Sequence, residues 1–446
     1  MRLFWSQADF GYVKARREEI EHICVSSDPN GSSLKCSKHL RYCYARNIFF
    51  DFKTFDKVKD YRKYRDDIIR DGEVGGRCTL DRVKLKRNAD HRSFLQSWAA
   101  ELLPFADDVD GVDQNFSLAN PKSCDIVFDR PVMLVKLDAT VSMYHHFCDF
   151  INIYASQHIN GSSFDKKSLQ IVVWETSTNG FYDDMFGDAW KAFTEHPIVE
   201  IKQFGSKTVC FREVMLPLLA RMQFGMYYNM PLVDGCRGSG LFHAFSNYLI
   251  HRLKIKQNGP LKDRIRVTFL SRSTKYRNVL NEHELVSALK IVGEFKVSVV
   301  DYNRSVPFRK QIEWTHNSDI FIGMHGSGLT HVLFLPDWAV MFELYNCKDP
   351  ACYKDLTRLR GVNYMTWERD DLVYPQDSGH HPRDGSPHAK FTNYAFDVGE
   401  FMRLVSLAAD YVRSDSVFVK AQEHATLQSE PGHDNKDSAK EMKTEL

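Results

Sequence analysis

From Cys124 onward, short apolar runs alternate with stretches whose apolar residues recur at helical spacing, and this alternation limits the possible folds more than any other feature. Residues 125–128 and 132–137 are apolar runs of strand length. Residues 141–158 follow at helical spacing, with Met143, Phe147, Phe150, Ile151 and Tyr154 on one side. Residues 169–174 read as a strand, 182–193 as a helix and 209–219 as a further apolar segment. A glycine-rich break, Gly235-Cys236-Arg237-Gly238-Ser239-Gly240, precedes a second run. There, helices at 241–255, 281–291 and 308–317 alternate with strands at 265–270, 296–301, 320–324 and 339–344, and 329–334 opens another helix. Asn281 stands at the cap of helix 281–291, with Glu282 and Glu284 in its first turn. The alternation predicts an α/β fold built on open, mostly parallel sheets.

At 446 residues the chain exceeds one compact domain. It divides into a charged, cysteine-bearing region at 1–122 and two α/β domains at 123–237 and 238–396. A closing helix follows at 397–414, then a polar tail at 415–446 that is expected to be disordered. Within the first region, 53–70 reads as a charge-laced helix. Ligands in such sheets bind beyond the carboxyl ends of the strands, so a cleft between the two α/β domains is the expected site.

Four segments carry chemistry. The stretch from Ile320 to His331 is a buried strand, a His325-Gly326-Ser327-Gly328 turn and a helix start. Glycines let the backbone approach a ligand, and the first helical N–H groups bind anions, so the turn fits a pyrophosphate. His325 adds a donor for a phosphate or sugar hydroxyl; the alternative is a turn whose glycines serve packing alone. Arg272 and Arg277 follow the strand at 265–270 and suit a clamp on phosphate oxygens. Together with a helix start they neutralise a diphosphate leaving group without a metal. A solvated loop paired to carboxylates is the alternative. Glu343 ends an apolar strand, where a carboxylate needs a partner: ribose hydroxyls or a salt bridge. In the first half, Asp138 precedes Tyr144-His145-His146-Phe147-Cys148-Asp149. His145 or His146 can share a helix face with Asp149, and a histidine oriented by a carboxylate is a general base. The alternative is a capping and packing cluster.

Net charge is +1, which gives no basic surplus for nucleic acid or a membrane surface, and no apolar window is long enough to span a bilayer. The first residues are not a signal peptide, because the apolar stretch is short and soon charged. The end, Lys443-Thr444-Glu445-Leu446, is a one-position variant of the endoplasmic-reticulum retrieval tetrapeptide. Ten cysteines without a C-x-x-C pair argue against a zinc or redox site, so no metal ligands are assigned. Cys36 with Cys43, and Cys347 with Cys352, are close enough for local disulfides, though spacing does not set connectivity. Sequons at Asn30, Asn115, Asn160 and Asn303 agree with a luminal location. The missing entry signal then reads as a truncated start.

The segments Tyr144 to Asn152, Arg272-Ser273-Thr274 with Tyr276-Arg277, Gly323 to His331, Phe342 to Cys347, and Lys390-Phe391-Thr392-Asn393-Tyr394 carry a close resemblance. With the retrieval tail, they resemble the EGF-domain-specific O-linked N-acetylglucosamine transferases, a branch of glycosyltransferase family 61. The resemblance implies a GT-B architecture: two Rossmann-like domains facing a central cleft, here with a cysteine-bearing N-terminal extension. It implies UDP-GlcNAc as donor, inversion at the anomeric carbon, and Ser or Thr of folded EGF-like repeats as acceptor. The acceptors are then Notch-like receptors and extracellular matrix proteins, and the retrieval receptor is a further partner. It supports a UDP-GlcNAc role for Arg272, Arg277 and the turn from His325 to Gly328, and leaves the metal requirement and the general base open. Relatives carry an acidic–aromatic–acidic triplet linked to full activity; the matching positions here are Glu195-His196-Pro197, which keeps one acid. Two rival readings are a non-catalytic luminal binder of EGF-like domains and a related transferase acting on O-mannose glycans.

Overall fold

A computed structural model of the chain describes residues 2–55, 68–90, 93–107, 116–118, 120, 122–159, 165–176, 182–183, 185–223, 225–228 and 235–429. Two large sheets organise it. In the first, Val132–Leu137, Gln170–Thr176 and Val199–Glu200 run parallel. Thr208–Leu216 joins them in parallel through Val214 and Met215. On its other side Thr208–Leu216 pairs antiparallel with Cys43–Asp51, from Thr208 opposite Asp51 to Leu216 opposite Cys43. Cys43–Asp51 hands the sheet on to Ser33–Cys36 and Glu21–Val25. This sheet is therefore mixed, not mostly parallel, and the region read as a charged extension supplies part of it. Ala45, Ile48 and Phe50 are all buried, but Arg46 and Asn47 interrupt their alternation, and Asn47 takes a positive φ of 50°. That irregular residue hides the strand from a period-two reading.

Three disulfides fasten this part of the chain: Cys24–Cys78, Cys36–Cys43 and Cys124–Cys210. Cys347 and Cys352 stay as free thiols instead of pairing. The Cys347 thiol faces the Tyr345 carbonyl and the Tyr394 hydroxyl, while the Cys352 thiol is engaged by Tyr144.

The second sheet holds five parallel strands: Ile265–Leu270, Phe295–Val300, Ile320–Gly323, Val340–Glu343 and Asn363–Thr366. They lie side by side as second, first, third, fourth and fifth. Asn281 begins the helix Glu282–Ile291, yet its side chain does not cap it. It instead donates to the Phe396 carbonyl at 2.9 Å and accepts from the Phe396 N–H at 3.1 Å. Two expected α-helices are wound more tightly, as 3-10 helices at Gly187–Ala192 and Ser327–Phe334. The expected disordered tail begins as a helix, Ser416–Ser429, because Phe418 is buried against Trp338 at 6.1 Å. Most of the charge-laced segment at 53–70 and the retrieval tetrapeptide lie outside the described residues, as do Asn115 and Asn160.

Aromatic rings weld the two halves. Phe147, on the first half's helix Met143–Ile159, meets Phe308 and Phe334 of the second half, each at 5.7 Å. One apolar cluster thus runs from the first sheet to one face of the second. Asp9 adds a polar joint: its carboxylate accepts from the Phe10 N–H and from Gly240 and Leu241 at the start of helix Gly240–Arg252. It thereby satisfies orphan donors of two helices at once.

Candidate active site

The second sheet changes direction between its first and third strands, and the crevice beyond their carboxyl ends is where doubly wound sheets bind ligands. The loop carrying Arg272 and Arg277 follows the first of these strands, and the turn from His325 to Gly328 follows the other. Arg277 donates to the His325 carbonyl at 3.0 Å and itself sits at a positive φ of 62°. Gly326 lies under the Arg272 guanidinium: a β-carbon there would come within 2.4 Å of Nη1. Burial, and then the charge of Arg277, push Arg272 down to about 10. Among the described residues neither guanidinium forms an ion pair with a carboxylate, and both Nε atoms are buried without a hydrogen-bond partner. Two like charges held this way favour an anion between them.

His325 is 3% exposed, and its Nδ1 lies 2.8 Å from a Glu343 oxygen. The other Glu343 oxygen accepts from the Tyr364 hydroxyl at 2.5 Å. Burial, reinforced by Glu343, holds the Tyr364 phenol well above its usual range, so it stays a donor. Glu343, 1% exposed, thus serves as the partner that orients His325. Of the two roles read for it, the geometry is that of the partnered strand-end carboxylate, its oxygens taken by His325 and Tyr364.

Across the cleft stands His145, on the first turn of helix Met143–Ile159. Its Nδ1 lies 3.2 Å from Asp138, which directly follows the strand Val132–Leu137. Arg221 grips the same carboxylate with Nε at 2.7 Å and Nη2 at 2.9 Å. Burial pushes the Asp138 carboxyl up, but His145 and Arg221 outweigh it and hold the group well below the usual carboxylate range. Asp138, itself held by Arg221, thus fixes the His145 ring through Nδ1. His145 and Tyr228 share a cleft of about 640 Å³ with Arg277, His325, Gly326 and Ser327. A second hollow of about 310 Å³ contains Arg272 and meets the cleft at Ser327. These sizes suit small-ligand sites.

The neighbouring pair points elsewhere. His146 is fully buried, packed on Phe150 at 4.4 Å and Trp190 at 5.8 Å, and burial pushes it down to about 3. Asp149 accepts from the Asp138 N–H and sits 3.1 Å from His146, and burial with the Asp138 charge pushes its carboxyl up. His146 and Asp149 are packing residues beneath the helix, not cleft residues. The i,i+3 spacing that drew them together operates on the buried face. Sequence reasoning missed Asp138 as the partner of His145 and missed Arg221 altogether. The available signal for Asp138 was an acid immediately after a largely apolar six-residue strand; Arg221 left none.

Glu195, His196 and Pro197 line a separate hollow of about 540 Å³. Glu195 pairs with Lys166 at 2.7 Å, His196 stands against Arg130 at 2.7 Å, and the Pro197 carbonyl accepts from Gln170 at 2.7 Å. Among the described residues no group of three His, Cys, Asp or Glu side chains is placed to hold a metal ion. Asn30 is exposed in a turn, whereas Asn303 faces the 310 Å³ hollow and donates to Asp301 at 3.2 Å.

The sequence profile described as Glycosyltransferase 61 matches residues 95–342. EGF domain-specific O-linked N-acetylglucosamine transferase of Bos taurus is 51% identical over 411 residues, covering 92% of this chain and 76% of that protein. The proteins of that name from Gallus gallus and Drosophila melanogaster are 51% and 48% identical, covering 93% and 94% of this chain and 76% and 79% of theirs. A solved iron-containing heptosyltransferase overlaps with a TM-score of 0.23 at 13% identity, covering 69% of this chain and 80% of that one. The chain belongs to glycosyltransferase family 61.

Proposed function

We propose that this protein transfers N-acetylglucosamine from UDP-GlcNAc to Ser or Thr hydroxyls of folded EGF-like domains in the lumen of the endoplasmic reticulum. The reaction inverts the anomeric carbon, and the two α/β halves work as a GT-B pair. The observation that carries the reading is a base and an anion cradle in one cleft: His145, oriented by Asp138, faces the turn from His325 to Gly328 with Arg277 beside it.

The acceptor oxygen attacks the anomeric carbon as His145 Nε2 takes its proton. The bond to the diphosphate breaks, and the leaving charge falls on the guanidinium groups of Arg272 and Arg277 and the N–H groups of the turn. The relatives' names support the donor sugar and the EGF acceptor. Disulfides in the first half support an oxidising compartment.

The test uses a folded, disulfide-bonded EGF repeat and UDP-GlcNAc, with intact mass as the readout. The expected result is a gain of one N-acetylhexosamine. No gain, with a known transferase active alongside, would defeat the proposal. UDP binding without transfer would return the non-catalytic reading, and transfer only to an O-mannose glycopeptide would change the acceptor.

A further inference from the structure

The segment Lys390-Phe391-Thr392-Asn393-Tyr394 has no part in the mechanism above, yet the fold delivers it to the anion cradle. Backbone hydrogen bonds strap it to the Arg277 loop. Arg277 N–H donates to the Thr392 carbonyl at 2.8 Å, and Tyr394 N–H donates to the Asn278 carbonyl at 3.0 Å. The Asn278 N–H and side-chain amide both donate to Asn393 Oδ1, at 2.9 and 3.0 Å. The strap sets Lys390 in the wall of the same cleft as Arg277, His325, Gly326 and Ser327. Its ammonium lies 2.6 Å from Asp349 Oδ2, and both side chains are about one-third exposed, at 29% and 35%. The same Asp349 oxygen is 3.8 Å from His325 Nε2, beyond hydrogen-bond length. Of its two side-chain neighbours Asp349 therefore holds a full hydrogen bond with Lys390 alone, beside one from the Cys352 backbone. Burial opposes the charge on Asp349, but Lys390 and then His325 hold its carboxyl below the usual range.

We propose that Lys390 is a third diphosphate-binding cation, held by Asp349 while the cleft is empty and exchanged onto the phosphate oxygens when a nucleoside diphosphate enters. This rests on the nucleotide-sugar reading of the cleft and adds a residue to it. The exchange is physically balanced. A partly exposed, solvent-screened carboxylate–ammonium pair contributes modestly, so leaving it costs little beside the gain from a diphosphate already held by two guanidinium groups. The released Asp349 keeps its hydrogen bond from the Cys352 backbone and has His325 Nε2 to turn to.

Isothermal calorimetry with UDP and with inorganic pyrophosphate tests this on the wild type, Lys390→Met, Lys390→Arg and Asp349→Asn. Lys390→Met is expected to weaken both ligands tenfold or more, and Lys390→Arg to restore most of the loss. Asp349→Asn is expected to bind UDP as well as the wild type or more tightly, since it frees the ammonium. A merely structural ion pair predicts the opposite pattern: both halves of the pair would weaken binding alike. That outcome, or UDP affinity within twofold of wild type in Lys390→Met, overturns the proposal. A wild type that binds neither UDP nor pyrophosphate overturns the nucleotide reading itself, and this proposal with it.

Discussion

Gly326→Ala separates the work of the turn from the stability of the fold. The new β-carbon would stand 2.4 Å from Arg272 Nη1 and 3.4 Å from Arg277 Nη1. Ordinary contact needs about 3.5 Å, so the Arg272 guanidinium must retreat by about 1 Å. It sits at the end of a flexible side chain, so the retreat is cheap in the empty protein. Backbone strain adds about 1–2 kcal/mol, because Gly326 has a φ of 155°, which alanine rarely adopts. The functional loss is larger. A charge-assisted hydrogen bond to the leaving phosphate is worth about 1.5–3 kcal/mol, or about 10–100-fold in binding and turnover. UDP calorimetry and single-turnover transfer, set beside a thermal melt, read the two effects separately. The expected pattern is a melting temperature a few degrees lower and a loss of UDP affinity of at least tenfold. UDP affinity within twofold of wild type would refute the contact between turn and arginine as the origin of anion binding.

The two adjacent histidines should part company. His145→Ala is expected to lower turnover by about 100-fold or more with UDP affinity unchanged, as for loss of a general base. His146→Phe, inside an aromatic cluster, should retain turnover within a few fold; initial-rate kinetics distinguish them. His331 supplies a pH prediction, since burial pushes it down to about 3 and its Nδ1 meets the Gly328 carbonyl at 2.8 Å. It stays neutral when folded but takes a proton on unfolding below its usual value near 6.5. Its contribution is therefore present above that pH and lost as pH falls, at about 1.4 kcal/mol per pH unit. His331→Phe should remove that slope from urea denaturation curves between pH 6 and 4. Asp9→Ala removes an acceptor shared by two helix starts and should cost about 1–2 kcal/mol in the same measurement, without altering UDP affinity.

The elements legible in the sequence were those whose residues face a uniform environment. The strands at 265–270 and 320–323 are buried throughout and mostly apolar, because both faces of a parallel sheet are covered. Turn chemistry was equally plain from His325 to Gly328, where glycine permits the close approach of Arg272. The strand Cys43–Asp51 was not legible, since an irregular Asn47 breaks its alternation and one of its partners, Thr208–Leu216, lies more than 150 residues away. The Cys347 and Cys352 spacing misled for a related reason. Proximity along the chain allows a bond, but each thiol has turned to a different tyrosine.

The sequence by itself determined the α/β run, the glycine turn and the arginines after the first strand of the second half, because local periodicity and backbone freedom are properties of neighbouring residues. Only the tertiary structure decided which histidine meets the cleft. His145 and His146 differ by about a hundred degrees around one helix, and the aromatic core claims the face that carries His146. It also decided that Asp138 and Arg221, 83 residues apart, hold His145, and that Lys390 stands beside the arginine loop. Such contacts follow from the packing of distant segments, and no spacing along the chain encodes them.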